Sequence, residues 1–142
     1  MHRTSEDKLL TLDGVVQKMN ALREEGKAQD DVLVIGINSD ASVRAYKSPS
    51  RPIIAEQYRA RMVAALECVD LVFLFDETDP REWLRRIRPD IHINGAEYGA
   101  DCIEREVVEA GGGRISLIQP VGGLSTSAVI QRIIAVESEE TP

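Results

Sequence analysis

Short apolar runs alternate with stretches of helical periodicity along this chain, and that alternation restricts its fold more than any other feature. The runs are Val32 to Ile37, Leu71 to Phe75, Ile91 to Ile93 and Arg114 to Ile118. Each is bounded by turn residues and reads as a strand. Between them lie helical patterns. Leu9, Leu10, Leu12, Val15, Val16, Met19 and Leu22 form one, with Thr11 or Asp13 as N-cap and Gly26 as stop. Met62, Ala65, Leu66 and Val69 mark a helix from Ala55 to Val69, and Trp83, Leu84 and Ile87 mark the inner face of the next. Strands and helices in this order imply a parallel sheet with crossover helices on both faces, an α/β fold.

Punctuation places the remaining boundaries. Pro49 and Pro52 stiffen a polar loop from Asn38 to Ile54. Thr78 or Asp79 caps the third helix, Pro80 fits its first turn, and Arg88-Pro89 ends it. A Gly-flanked loop runs from Asn94 to Gly99, and a helix from Cys102 to Ala110 stops at Gly111 to Gly113. Gly122 to Ser127 then leads into a last helix, Ala128 to Val136. The expectation is one domain over residues 1–142, with residues 1–7 and 137–142 as loose tails.

Charge excludes some partners. With a net charge of -7 and Lys and Arg outnumbered, the chain is unsuited to phosphate backbones or anionic membranes. It holds no run of ~18 apolar residues, so the expectation is a cytoplasmic protein with no nucleic-acid or membrane partner. Cys68 and Cys102 have neither a CxxC spacing nor companion histidines, which argues against a disulfide framework or a zinc site. Arg44, Lys47, Arg51 and Arg59 nevertheless form a local basic cluster that a small anion could use.

In an open α/β sheet the chemistry lies at the carboxyl ends of the strands. Gly122-Gly123 followed by Ser125, Thr126 and Ser127 at a helix start suits a phosphate, or Ser125 or Thr126 simply caps the helix. Asp40 with Arg44, Lys47 and Arg51 suits a sugar phosphate, or these are solvated loop charges. Asn94 and Glu97 read a base or ribose, or shape the Gly95 turn. His92 alternates with Ile91 and Ile93 inside a strand and reads as structural, and no Ser/His/Asp or Cys/His arrangement is legible.

Six ordered segments carry a family resemblance: NSDASVRAYK with SRP, EQYRARMVAALECVDLVFLFDETDP, RPDIHINGAEYG, EAGGGRISLI and GLSTSAVIQRI. From about Val32 to Ile134 the chain resembles the adenylyltransferase domain of the ADP-heptose synthases, within the cytidylyltransferase-like nucleotidyltransferase superfamily. KLLTLDGVVQKMNALREEGK resembles the helix before the first strand of those proteins. The resemblance implies a Rossmann-like, three-layer fold of the nucleotidyltransferase type. It also implies transfer of AMP from Mg²⁺-bound ATP to a sugar 1-phosphate of the heptose class, a step towards lipopolysaccharide precursors. Nucleotide-binding residues would be Asn94, Gly95, Gly123, Ser125, Thr126 and Ser127, and Asp40, Lys47 and Arg51 would face the acceptor. Many relatives have Lys-Gly where this chain has Asn94-Gly95, which leaves nucleotide and sugar preference open. Glycerol 3-phosphate cytidylyl transfer is the nearest competing activity. Apolar faces on the first and last helices serve either a homodimer or the core.

One family element has no counterpart. The resemblance implies a first, central strand and a helix bearing an HxGH motif between Lys27 and Ala28, about 25 residues in all. Neither His2 nor His92 has that spacing, so no catalytic histidine is assigned. A deleted strand and helix, a segment missing from the sequence as written, and a catalytically inactive nucleotide-binding or assembly remnant all fit.

Overall fold

The structure, a computed structural model, describes residues 4–25 and 31–141. The Gly26 stop, the Lys27–Ala28 junction, His2 and the outermost residues of both tails lie outside them. The chain divides into two compact units, Met1–Pro89 and Asp90–Pro142.

In the first unit the order is α1 (Ser5–Lys8), α2 (Leu12–Glu24), β1 (Val34–Asn38), α3 (Asp40–Tyr46), α4 (Glu56–Ala64), β2 (Leu71–Phe75) and α5 (Arg81–Ile87). β1 and β2 pair in parallel, with Val34 opposite Leu71 and Gly36 opposite Phe73. The period of two along a strand sorts their side chains onto two faces. Leu71 and Phe73 pack with Val15 of α2 and Ile87 of α5, backed by Val34, Phe75 and Trp83. Val72 faces the other way, with Val69 and the small residues Ala60 and Ala64 of α4, backed by Leu33, Ile35 and Ile37. The unit is therefore three layers, helix on sheet on helix. Gly36 is required between them, because a Cβ there would meet the Phe73 ring at 2.9 Å. Fully burying Phe73 contributes about 1.5–3 kcal/mol.

β2 has a neighbour on each edge, since Leu9 forms a parallel bridge to Val72 and Leu10 N–H donates to the Val72 carbonyl at 2.9 Å. Among the described residues β1 is paired on one edge only.

In the second unit the order is β3 (Ile91–Gly95), a 3-10 turn Ala96–Tyr98, α6 (Arg105–Ala110), β4 (Arg114–Ile118) and α7 (Thr126–Glu140). β3 and β4 pair in parallel, His92 opposite Ile115 and Gly95 opposite Ile118. Val108 of α6 is the one fully buried apolar side chain among the described residues of this unit.

The α/β class with parallel strands agrees with the sequence, and several local expectations do not. The described strands form two two-stranded sheets instead of one. The stretch Asn38 to Ile54 is not all loop, because Ser39 accepts from Ser42 N–H and starts α3. Ser42 and Val43 are the buried residues of that short helix, too few to leave a periodic signal. α1, Ser5–Lys8, overlaps the expected loose tail 1–7 and is held by a capping box between Thr4 and Asp7. The buried Lys8 donates to the Leu66 carbonyl at 3.0 Å. α7 runs on to Glu140, and α4 and α6 are shorter than their apolar patterns suggested. α5 begins after Pro80, and of the two expected caps it is Asp79 whose side chain accepts from the N–H of the helix's first residue, Arg81, at 3.0 Å, and also from the Arg81 guanidinium. No helix among the described residues is long and apolar enough to cross a membrane.

Candidate functional site

The expected site residues fall into two sets, one in each unit. In the second unit, parallel pairing of β3 with β4 sends both following loops out of the same end of the sheet. One is the Asn94–Gly95 turn, the other the Gly122–Ser127 loop. The Asn94 Oδ1 accepts from Gly95 N–H at 3.2 Å, and among the described residues its buried Nδ2 has no partner. Leaving a buried amide donor unpaired costs free energy unless something comes to it. The Glu97 carboxylate folds back over Gly95, occupying the space a Cβ would need.

Gly122 and Gly123 have φ of 68° and 62°, the left-handed region that glycine enters without strain. A Cβ at either would meet nothing within 4 Å, so the demand is purely conformational. Ser125 is the N-cap of α7, its Oγ accepting from Ala128 N–H at 3.1 Å. Thr126 and Ser127 form the exposed first turn of α7, so their main-chain N–H groups stand at the helix N-terminus. An anion placed there would meet those donors and the positive end of the helix dipole.

In the first unit Asp40 opens α3 and Lys47 follows its end. Seven residues of helix put them about 10 Å apart along the axis. Lys47 Nζ lies over the Tyr46 ring, 5.6 Å from its centre. Arg51 closes a turn through its N–H to the Ser48 carbonyl at 3.1 Å and precedes a cis bond to Pro52. What lies against Asp40 is α4. Its main-chain N–H donates to Glu56 Oε2 at 2.6 Å, and Arg59 Nη2 donates to its Oδ1 at 2.9 Å. Neither partner was singled out with Asp40 from sequence. They are 16 and 19 residues away, and local pattern carries no signal for such a pairing.

Asp79, four residues beyond β2, and His92, near the amino end of β3, are perturbed. Arg81 beside Asp79 holds that carboxyl down to about 2. Burial lowers the His92 imidazole below its usual value, against the opposing pull of Glu104. Among the described residues no group of three or more His, Cys, Asp or Glu side chains could hold a metal ion.

Parallel strands joined through helices, with a glycine-serine loop and a polar turn at one sheet end, are consistent with an α/β fold of the Rossmann-like nucleotidyltransferase kind. The chain belongs to the cytidylyltransferase-like family, whose model matches residues 18–132. Its relatives include the bifunctional protein HldE of Syntrophotalea carbinolica, 46% identical over 112 residues, 78% of this chain and 23% of that protein. The HldE proteins of Azorhizobium caulinodans and Geobacter sulfurreducens are 45% and 41% identical over 79% and 82% of this chain. The chain spans about a quarter of the length of each of these relatives.

Proposed function

We propose that this chain is a nucleotidyltransferase domain of the heptose 1-phosphate adenylyltransferase class. ATP binds to the second unit and a sugar 1-phosphate to the Asp40 region of the first. In the reaction an oxygen of the sugar phosphate attacks the α-phosphorus of ATP, the bond to the β-phosphate oxygen breaks, and pyrophosphate leaves with the electron pair. The product is an ADP-sugar. The observation that carries this is the Gly95–Ile118 register, which puts the Asn94 turn and the Gly122–Ser127 loop at one sheet end. There the first-turn donors of α7 would take phosphate oxygens, and the unpartnered Asn94 amide would meet the base or ribose.

The described residues form no cage for a metal, so Mg²⁺ would enter on the ATP phosphates and neutralise their charge. The chain's own residues bind and position. A second reading, binding with little turnover, is favoured by one observation. The sequence has two histidines, and His92 is a half-buried strand residue with no HxGH spacing.

Calorimetry of the chain with ATP and with CTP tests the assignment. Heat with ATP is expected; stronger heat with CTP favours cytidylyl transfer, and no heat with either overturns the proposal. Pyrophosphate release with ATP and heptose 1-phosphate should then be about 100 to 1,000-fold slower than in an HldE relative, the usual cost of one lost transition-state donor. Full turnover would discard the binding-only reading.

A further inference from the structure

Asp40 and Arg59 form an ion pair that is only half used. Arg59 Nη2 holds Asp40 Oδ1 at 2.9 Å, and Arg59 Nε donates to the Ile54 carbonyl at 2.8 Å. Among the described residues nothing further reaches Asp40 Oδ2 or Arg59 Nη1. The two side chains are 26% and 21% exposed, so water, and hence a ligand, has access to the pair. A free carboxylate oxygen accepts from a hydroxyl, and a free guanidinium nitrogen donates to a phosphate oxygen. The neighbouring main-chain donor is taken, because Asp40 N–H already donates to Glu56 Oε2. A phosphate arriving here is therefore repelled from the start of α3 by Glu56 and drawn to Arg59. Lys47 stands at the far end of α3, over Tyr46.

We propose that Arg59 contacts the acceptor directly. Its Nη1 binds the phosphate of a polyol phosphate, while Nη2 fixes Asp40 so that Oδ2 accepts from a hydroxyl of the same molecule. The inference rests on the acceptor binding proposed for the Asp40 region and adds the residue that recognises its phosphate. It differs from a purely structural link between α3 and α4 in one respect. A link would support sugar and sugar phosphate equally, whereas a phosphate contact separates them.

The test is calorimetry of the full chain with heptose 1-phosphate and with unphosphorylated heptose, with ATP as a control. The wild-type chain should prefer the phosphorylated sugar by about ten-fold or more, the scale of one charged hydrogen bond. Arg59→Gln should abolish that preference and leave ATP binding unchanged. Arg59→Lys, with one ammonium for two tasks, should keep part of it. An unchanged preference in whichever variant folds, as judged by Trp83 emission, overturns the proposal. So does equal weakening of both sugars. If the wild-type chain binds neither sugar, the acceptor assignment of Asp40 falls together with Arg59, whereas ATP heat keeps the nucleotide assignment standing.

Discussion

Arg23 on α2 donates through Nη2 to the main-chain carbonyl of Ile87 at the end of α5, at 2.8 Å. The same nitrogen reaches the Arg88 carbonyl at 2.7 Å, where the chain turns left-handed with φ of 51°. Carbonyls in the last turn of a helix have no intrahelical donor, and a cation there also meets the negative end of the helix dipole. One side chain thus satisfies the end of α5 and ties it to α2. The ion pair of Arg86 with Asp13 joins the same two helices.

Arg23→Met keeps the aliphatic stem and removes the donors. The expected loss is about 1.5–3 kcal/mol, the range for hydrogen bonds to charged groups. Trp83, the sole tryptophan, sits 5.3 Å from Phe73 in the core of this unit and reports its unfolding. In a denaturant titration followed by its emission, the midpoint should fall clearly; an unmoved midpoint would show that water replaces the guanidinium at no cost.

The Gly122-Gly123 pair separates conformational from steric demand. Alanine at position 123 has room on every side, so its only penalty is the left-handed backbone, about 1–2 kcal/mol. If the loop must hold this conformation to bind nucleotide, Gly123→Ala weakens ATP by roughly 5 to 30-fold in calorimetry. The Trp83 unfolding midpoint, which reports the first unit, should stay in place. Wild-type ATP affinity in this variant would remove the loop from the nucleotide site.

His92 predicts a pH dependence in the second unit. Burial lowers its folded pKa below the unfolded value of 6.5, so the unfolded chain binds the proton more readily. The stabilisation is present above pH 6.5 and is lost as pH falls through the lowered folded pKa. His92→Gln should flatten that acid-side decline in denaturation midpoints followed by circular dichroism. A slope of equal size in the variant would assign the decline to other groups.

Much of the architecture was legible because it rests on neighbours in sequence. Leu71–Phe75 and Arg114–Ile118 are strands at the bounds their patterns indicated, and Thr11 caps α2 through Gly14 N–H. α3 was not legible, since a polar seven-residue helix buries only Ser42 and Val43 and looks like a loop. The Thr4 capping box carries a local signal in the sequence, Thr4 and Asp7 standing at the right spacing for it. At the candidate site Gly123 and Ser125 stood out through local chemistry, and Ser125 does cap α7. The pairing of Asp40 with Arg59 and Glu56 did not, because no periodicity links residues on two different helices.

By itself the sequence determined the apolar strands Leu71–Phe75 and Arg114–Ile118 and the amphipathic helix capped by Thr11, which follow from side-chain periodicity within a few residues, and the order of its segments carried the family resemblance. Only the tertiary structure decided which charges meet. Asp40 could have faced Arg44, Lys47, Arg51 or Arg59, and packing of α3 beside α4 gave it Arg59, with Glu56 on its amide. The strand pairing was decided at the same level, β1 with β2 and β3 with β4. Hydrogen bonds and ion pairs depend on separations of a few ångströms in space, and those are set by the packed core.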